Sequence, residues 1–401
     1  MSTLDTDFDL GADAVLTLNA GSSSLKFALF CDGNDKPLYN GLVDRIGPDA
    51  HIRIHDHQGR DVPAVQGGLE SHEDAFQRII EVLGLNRDRR QLSAVGHRVV
   101  HGGQHYAMPT LINAQVLADL AKLIPFAPLH QPHNLRGIAL ASEAFPGVAQ
   151  VACFDTAFHR SHPWVNDTFA LPRALYDEGV RRYGFHGLSY EFVLAAFQQR
   201  FPASAQGKLV IAHLGNGASM CAISEGRSVA STMGFSALDG LPMGTRCGQL
   251  DPGVLLYLMD QKSMTASEIS DLLYKHSGLL GLSGLSNDMR TLQASPDQAA
   301  AEAIDYFVFR CQRELGAMAA ALGGLDALVF CGGIGENASA IRARICSRLA
   351  WMGVEIDAAA NEHGESVISS TSSRALVLVI PTNEELVIAS AARSLSQGLV
   401  S

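Results

Sequence analysis

Residues 15–30 have the sequence VLTLNAGSSSLKFALF, and this stretch decides the fold class. An apolar segment leads into small and polar residues from Asn19 to Ser24, and a second apolar segment follows from Leu25. This pattern predicts two strands joined by a glycine–serine turn. Small side chains in such a turn let the backbone approach an anion, and Lys26 adds a positive charge. An ordinary hairpin turn is the alternative for this segment taken by itself.

A similar pattern returns about half a chain later. The apolar residues 209–212 (LVIA) precede residues 213–219 (HLGNGAS), and residues 220–223 (MCAI) follow. Asn-Gly is also a common hairpin signal, so an ordinary turn is again the alternative. Two strand–turn–strand units at this separation predict two domains with the same core plan.

Helices and strands alternate through the remaining chain. Ser71 is a candidate N-cap of a helix that carries Glu73 and Asp74 in its first turn and ends before Gly84. Strands are predicted at residues 148–154 and 326–330, and a long helix at residues 299–322. This alternation favours α/β domains with mixed sheets.

Length, charge and cysteine usage limit the function classes. The chain has 401 residues, which favours two domains, and its formal net charge of −11 argues against a nucleic-acid partner. Its 7 cysteines form no Cys-x-x-Cys pair, so we expect reduced thiols in a cytoplasmic protein. Residues 1–13 lack a basic segment, so a frayed leader is expected there rather than a signal peptide. Since no apolar run approaches about 20 residues, no membrane span is expected.

A third glycine-rich segment, Gly333-Ile-Gly-Glu-Asn-Ala338, lies between a predicted strand and a predicted helix. It fits the dinucleotide-binding fingerprint, and Glu355 follows Gly335 at the expected distance. A nicotinamide-dependent oxidoreductase is therefore one alternative function. Such a fingerprint usually opens its domain, however, and this alternative leaves the two earlier glycine loops unexplained. A helix N-terminus can equally bind the phosphates or adenosine of another nucleotide.

Three basic side chains lie in positions that suggest anion binding. Arg98 falls in the apolar segment AVGHRVV, where strand periodicity places it on the same face as Val100. An arginine on an apolar strand is costly unless it meets an anion, with a structural ion pair as the alternative. His186 and Arg246 are flanked by small residues in YGFHG and MGTRCG, which leaves their side chains accessible.

Together these segments resemble the acetate kinase family. The shared motifs run in family order from residue 19 to residue 386. They are NAGSSSLK, GHRVVHGG, APLH, FDTAFH, YGFHG, HLGNG, LPMGTRCG, GIGEN and TNEEL. The resemblance implies two duplicated actin-like (ribonuclease-H-like) α/β domains with mixed sheets and an interdomain ATP cleft. It places residues 1–155 and 385–401 in domain I, and residues 156–384 in domain II with the contact of a homodimer.

The resemblance also implies the roles of individual residues. Asn19 and Glu384 match the family's Mg²⁺ positions, with Mn²⁺ as an alternative ion. Asp155, His186 and Arg246 match catalytic residues. The match to the acid-binding residues covers Arg98, Val100, Leu129, Phe185 and Ala237. The match to the ATP contacts covers Lys26, His213, Leu214, Gly215, Asn216, Gly217, Asp288, Met289, Arg290, Gly333, Ile334, Gly335, Glu336 and Asn337. At residue 237 the family often has Pro in Phe-Thr-Pro-Leu-Glu-Gly, whereas this chain has Phe235-Ser-Ala-Leu-Asp-Gly240.

The expected reaction is reversible transfer of the ATP γ-phosphate to acetate, giving acetyl phosphate and ADP. A carboxylic acid is already ionised at pH 7, so the site needs positive charge rather than a general base. Asp155 is then expected to orient a metal, water or arginine. One alternative is a propionate or other short-chain acyl kinase. Another is an ATP-driven switch without acid-dependent turnover.

Overall fold

The computed structural model describes residues 14–31, 33–85 and 92–398. The expected leader, residues 1–13, lies outside the described residues. The chain divides into two compact units. The first unit contains the described residues up to Ala157 together with those from Asn383 onward, and the second contains Phe158–Thr382. The sequence analysis predicted the boundaries after residues 155 and 384, which would assign Glu384 to the second domain. In the structure Glu384 belongs to the first unit.

Twelve strands occur in the described residues. They are β1 (Val15–Ala20), β2 (Ser24–Phe30), β3 (Tyr39–Asp44), β4 (His51–Asp56), β5 (Ala94–Val99), β6 (Thr110–Leu111), β7 (Ala149–Phe154), β8 (Leu209–Leu214), β9 (Ala218–Ser224), β10 (Arg227–Ser231), β11 (Ala327–Cys331) and β12 (Leu376–Val379).

Fifteen α-helices complete the described part of the chain. They are α1 (His72–Leu83), α2 (Ala114–Lys122), α3 (Gln131–Ala144), α4 (Trp164–Asp167), α5 (Arg173–Asp177), α6 (Gly187–Arg200), α7 (Pro252–Lys262), α8 (Ala266–Lys275), α9 (Gly278–Ser283), α10 (Met289–Ala294), α11 (Gln298–Leu322), α12 (Gly332–Asn337), α13 (Ser339–Cys346), α14 (Ala358–Glu362) and α15 (Glu384–Gln397). None of these helices is both long and apolar enough to cross a bilayer.

Both units are built on the same sheet plan, as the repeated sequence pattern predicts. The first sheet has the strand order β4-β3-β2-β1-β5-β7-β6, and the second has the order β10-β9-β8-β11-β12. In the first sheet, β1, β2 and β3 are antiparallel neighbours, and β5 and β7 run parallel to β1. In the second sheet, β8, β9 and β10 are antiparallel neighbours, and β11 and β12 run parallel to β8. Strands β4 and β6 are additions at the two edges of the first sheet. The mixed α/β fold class is therefore confirmed.

The first sheet buries both faces of its central strands. One face forms a core with α1, in which Phe27, Ile79 and Ile80 are buried. Helix α15 packs across β1, β5 and β7 on the other face. Gly96 makes that packing possible, since a Cβ there would lie 2.5 Å from a methyl carbon of Ile388. The C-terminal helix is thus an integral part of the first unit.

The second sheet is covered in a similar way. Helix α6 contributes Tyr190, Val193 and Phe197 to a core with β8, β9 and β11. The long helix α11, predicted at residues 299–322 and found at Gln298–Leu322, packs against β8, β9 and β10. These helices cover the sheet on which the loop after β8 and helix α12 after β11 are built.

Two local expectations differ from the structure. Strand β5 ends at Val99, one residue short of Val100, so strand periodicity does not extend to that side chain. The glycine segment after β11 is not an open loop but the short helix α12. It begins immediately after Cys331, and Gly332 with φ of 76° makes the sharp turn between strand and helix.

Candidate active site

Three polar side chains of the first unit lie at the carboxyl ends of adjacent parallel strands. Asn19 lies near the end of β1, Arg98 near the end of β5, and Asp155 directly after β7. The parallel pairing aligns Leu18 with His97 and Val99 with Phe154. The register therefore gathers these residues at one sheet edge, the usual location of ligand sites in open α/β sheets.

Arg98 and Asp155 form a bidentate ion pair. The Arg98 Nε and Nη2 atoms donate to the two carboxylate oxygens at 2.9 and 2.6 Å. On the opposite side, Arg98 Nη1 lies 3.6 Å from Glu384 Oε2 in the first turn of α15. Burial would lower the pKa of Arg98, but the charges of Asp155 and Glu384 outweigh burial and raise it. Arg98 is therefore always protonated and fixed in orientation by two carboxylates.

The residues that follow β5 are held by the start of α3. Asn134 accepts a hydrogen bond from Val100 N at 2.9 Å and donates one to Ala20 O at 2.8 Å. Val100 is buried, whereas Leu129, just before α3, is half-buried. Asn134 thus ties the end of β1 to the segment that carries Arg98 and Val100. No sequence motif identified Asn134, because its role depends on two distant backbone groups.

Lys26 lies opposite Asn19 in the β1–β2 hairpin. Its ammonium group forms an ion pair with Glu385, the neighbour of Glu384. The first turn of α15 therefore presents one carboxylate to Arg98 and the next to Lys26. Asn383 caps this helix by accepting a hydrogen bond from Leu386 N at 3.1 Å.

The two glycine-rich segments of the second unit, the loop after β8 and the start of α12, lie side by side. Strands β8 and β11 are parallel and pair His213 with Cys331, so the segments after them begin at the same sheet edge. A Cβ on Gly215 would lie 3.7 Å from the backbone nitrogen of Gly333. A side chain at Gly215 would narrow the space between this loop and the start of α12, and Gly215 N donates to Gly217 O at 3.0 Å. A helix N-terminus beside a glycine loop suits an anionic ligand.

His186 has an unusual backbone conformation that aims its ring at one of these loops. Its φ of 59° lies in the left-handed region, which is rare outside glycine and costs free energy. The Nδ1 atom lies 2.8 Å from the Ser219 hydroxyl, which also contacts the Tyr190 hydroxyl. The ring stacks on His213 with centroids 4.4 Å apart. Ser219, supported by Tyr190, therefore fixes the orientation of the His186 ring. The sequence analysis did not predict this role of Ser219 and Tyr190.

Gly217 lies against both basic catalytic candidates of this unit. A Cβ at residue 217 would come within 3.1 Å of His186 Nε2 and 3.8 Å of Arg246 Nη2. Arg246 is oriented by a hydrogen bond from Nη1 to Ala237 O at 3.1 Å. The loop that carries Arg246 is bound to the glycine loop through Gly244 N and Asn216 O, 3.0 Å apart. His186, Arg246 and the glycine loop thus form one cluster.

A cavity of about 560 Å³ adjoins this cluster. Eight of the predicted ATP contacts line it, namely Gly215, Asn216, Asp288, Met289, Arg290, Gly333, Ile334 and Asn337. Asn287, Gln293 and Ala338 also line it and were not predicted as ATP contacts. Asn287 and Gln293 belong to no recognisable motif, whereas Ala338 ends the glycine fingerprint that begins at Gly333. Hydrogen bonds from Arg290 lower the pKa of Asp288 to about 2, so this carboxylate is ionised. The volume falls in the range of small-molecule sites.

Some predicted ATP contacts lie elsewhere. Leu214 and Gly335 are buried beneath the loops, and the Glu336 carboxylate accepts hydrogen bonds from Gly332 N and Thr382 N. Glu336 therefore shapes helix α12 and does not line the cavity. Lys26 belongs to the first unit and lines a different cavity there.

The comparison with known proteins decides the family. The model of the acetokinase family matches residues 14–390. The chain belongs to the acetokinase family. It is 56% identical over 387 residues to an acetate kinase of Methylocella silvestris, covering 94% of this chain and 96% of that protein.

Solved structures of the acetokinase family agree with this assignment. An acetate kinase of Porphyromonas gingivalis superposes with a TM-score of 0.86 at 37% identity, covering 96% of this chain and 100% of that one. A propionate kinase of Francisella tularensis gives a TM-score of 0.89 at 38% identity, covering 95% and 99%. Family membership replaces the oxidoreductase interpretation of Gly333–Ala338. Glu355, which the oxidoreductase interpretation required, accepts a hydrogen bond from the Ser372 hydroxyl at 2.7 Å.

Proposed function

We propose that this chain transfers the γ-phosphate of ATP to the carboxylate of acetate, reversibly, giving acetyl phosphate and ADP. A carboxylate oxygen attacks the γ-phosphorus, and the bond from that phosphorus to the β–γ bridging oxygen breaks, so the electron pair leaves with ADP. The observation that carries the proposal is the cluster of His186, Arg246 and Gly217 beside a nucleotide-sized cavity. It supplies positive charge where a phosphoryl group would develop negative charge.

In this proposal Arg98 binds the acid. Its guanidinium is the positively charged group at the carboxyl ends of β1, β5 and β7, and Asp155 fixes its plane through two hydrogen bonds. Asp155 is engaged with Arg98 and almost fully buried, so it orients Arg98 rather than acting as a base. Val100 and Leu129 would contact the methyl group together with Phe185 and Ala237 of the second unit.

The transition state would be stabilised by His186 and Arg246. Both side chains are immobilised, His186 by Ser219 and Arg246 by the Ala237 carbonyl, so little reorganisation is needed as charge develops. The backbone of residues 213–217 would bind the phosphates, and the cavity lined by Asp288–Arg290, Gly333, Ile334 and Asn337 would hold the adenosine. No general base is needed to activate the acid, because its carboxyl group is already ionised when it binds.

The residues proposed to hold Mg²⁺ fit that ion. Asn19 and Glu384 offer an amide and a carboxylate oxygen, the hard ligands that Mg²⁺ prefers. The described residues contain no cluster of three His, Cys, Asp or Glu side chains able to enclose a metal. A site with two protein ligands, completed by water and phosphate oxygens, matches the usual coordination of Mg²⁺ and tolerates Mn²⁺. When bound, the ion would neutralise charge on the ATP phosphates.

Acetate is the preferred substrate in this proposal, with propionate as the second candidate. The propionate alternative is favoured by one feature, the replacement of the family's frequent proline by Ala237, which removes ring carbons from the acyl wall. One methylene group changes binding by only about 1–3 kcal/mol, so both acids are expected to react to some extent.

The second unit is also proposed to form a homodimer. Within the described residues, helix α7 contains no buried side chain although most of its sequence is apolar. Leu256 and Tyr257 on α7, and Phe309 on α11, are each more than half exposed in the single chain. We expect light scattering to give a dimer, and Leu256→Asp to shift it toward monomer, with Leu171→Asp as an exposed control outside these helices. A wild-type monomer would refute the proposal.

The proposed cytoplasmic location rests on the cysteines. All seven are described by the structure, none forms a disulfide bond there, and six of them are buried. Thiols in this state are typical of a reducing compartment.

Trapping the acyl phosphate with hydroxylamine tests the reaction. The purified protein is incubated with ATP, Mg²⁺ and acetate, propionate or butyrate, and hydroxamate is measured. We expect acid- and metal-dependent product, strongly reduced in Arg246→Ala and unchanged in Arg200→Ala, a surface arginine of the same unit. A folded protein that produces no hydroxamate from any of these acids would overturn the proposed function.

A further inference from the structure

A second cavity, of about 420 Å³, lies on the first sheet beyond the proposed acid site. The antiparallel register places Lys26, Leu42 and Arg53 in one row across β2, β3 and β4. Ala28, Asn40 and His55 form the next row, two residues along. Directly paired residues of neighbouring strands point to the same face. All six residues line the cavity, together with Asn383 and Glu385 at the start of α15.

The charges that line this cavity are not balanced. Glu385 pairs with Lys26, and Asp61 Oδ1 lies 3.0 Å from His55 Nδ1. Arg53, by contrast, has no ion-pair partner in the described part of the chain. Asp44 lies on the same face one row away but does not line the cavity. The guanidinium of Arg53 is therefore the uncompensated charge.

From this arrangement we infer an anion-binding site centred on Arg53. The guanidinium suits bidentate binding of a phosphate or carboxylate group, and Asn40 offers an amide donor. The ligand class is a small oxyanion with two or more negative charges, either a phosphate or a dicarboxylate. The further negative charge of such a ligand, the second carboxylate of a dicarboxylate above all, would attract Lys26 and compete with Glu385 for it.

A ligand bound in this site would affect the proposed active site through the first turn of α15. Glu385, the residue displaced from Lys26, is adjacent to Glu384, which lies 3.6 Å from Arg98. A bound oxyanion would therefore inhibit turnover by disturbing the first turn of α15. This consequence rests on the proposed reaction, whereas binding itself does not.

Titration calorimetry of the full chain tests binding without turnover. Inorganic phosphate and succinate are titrated separately into wild type, Arg53→Gln, Arg53→Lys and Arg60→Gln. Arg60 is a charge-matched control that pairs with Asp56 and lies outside the cavity. We expect Arg53→Gln to weaken binding at least about tenfold, Arg53→Lys to weaken it less, and Arg60→Gln to leave it unchanged. Tighter binding of one anion identifies the ligand class.

Kinetics provides the second readout. The better-binding anion should inhibit the wild-type enzyme, and Arg53→Gln should relieve inhibition at unchanged basal kcat. Binding of both anions that is equally tight in wild type and Arg53→Gln overturns the site, as does the lack of any binding to wild type. Arg53-dependent binding without inhibition retains the site and overturns its coupling to α15.

Discussion

At the scale of single residues, the proposed binding of the acid depends on Arg98. Its guanidinium lies between the carboxylates of Asp155 and Glu384, and about one fifth of its side chain is exposed. Two of its nitrogens are engaged by Asp155, which leaves the Nη1 side for another anion. A substrate carboxylate would meet this edge in competition with Glu384.

Arg98→Ala is therefore expected to raise KM for acetate by about tenfold to a hundredfold. A charged hydrogen-bonded contact contributes about 1.5–3 kcal/mol, and it acts on the ground-state carboxylate. The measurement is steady-state kinetics with acetate varied at saturating ATP. Arg98→Lys, which keeps the charge but loses the fork to Asp155, should lie between wild type and Arg98→Ala. An unchanged KM in Arg98→Ala would assign Arg98 to a structural ion pair.

The preference for the acyl-chain length of the substrate is expected to depend on Ala237. Its carbonyl orients Arg246, and proline keeps that carbonyl, so Ala237→Pro should retain catalysis. The added ring carbons would narrow the acyl wall and shift the kcat/KM ratio toward acetate over propionate. A change of roughly five- to a hundredfold corresponds to about 1–3 kcal/mol. Ala237→Val is the matched control that adds bulk but keeps the N–H group. If neither variant changes the ratio, residue 237 does not line the acyl site.

Local rules were sufficient for some residues and not for others. Arg98 could be identified because an arginine in an apolar strand needs an anion. Its partner Asp155 is 57 residues away, and only the parallel pairing of β5 and β7 brings them together. Ser219 and Tyr190 were missed for the same reason, because Ser219 on β9 contacts His186 and Tyr190, which lie 33 and 29 residues away in the sequence.

Helix α1 shows how far sequence predicts a single element. Ser71 and Asp74 form a capping box in which each side chain accepts a hydrogen bond from the other residue's backbone N–H, at 3.2 and 3.0 Å. Gly84 ends the helix in the left-handed conformation. The predicted cap, first turn and end are confirmed, because these signals are local. Helix α12 was missed, since its glycines are typical of a loop.

Ser71→Ala should lower the free energy of unfolding of the first unit by about 0.5–2 kcal/mol. The cause is the loss of one satisfied N–H group at the start of α1. The measurement is urea unfolding followed by far-UV circular dichroism, with kcat and KM unchanged. Thr265→Ala is the comparison, because Thr265 caps α8 of the second unit with an equivalent box. An unaltered unfolding curve in Ser71→Ala would show that this cap contributes nothing to stability.

The whole molecule repeats one plan, and each unit uses it for a different part of the proposed reaction. The ends of β1, β5 and β7 carry the residues proposed to bind the acid and the metal, whereas the loop after β8 and helix α12 after β11 carry residues proposed to bind the nucleotide. The duplication was predictable from the recurring strand–turn–strand pattern. The return of α15 to the first unit was implied by family resemblance alone, because no local signal links residues 384–397 to β5.

Each unit also contains a buried neutral histidine that contributes to the response of the whole molecule to acid. Burial lowers the pKa of both His97, beside Gln150, and His159, beside Ser228, to about 4. An unfolded histidine titrates near about 6.5. Between these values the unfolded chain binds protons that the native chain does not. These two histidines should therefore lower the free energy of unfolding as the pH falls from about 6.5 to 4, each by about 1.4 kcal/mol per pH unit.

The two units can be followed separately, because both tryptophans, Trp164 and Trp351, belong to the second unit. Tryptophan fluorescence in urea reports that unit, and far-UV circular dichroism reports both. His97→Gln keeps an amide donor for Gln150 but cannot titrate, so it should flatten the acid slope of the first unit and leave the fluorescence transition unchanged. His51→Gln, an exposed site on the same sheet, should keep the wild-type slope. If His97→Gln retains the full slope, the acid sensitivity of the first unit arises from other groups.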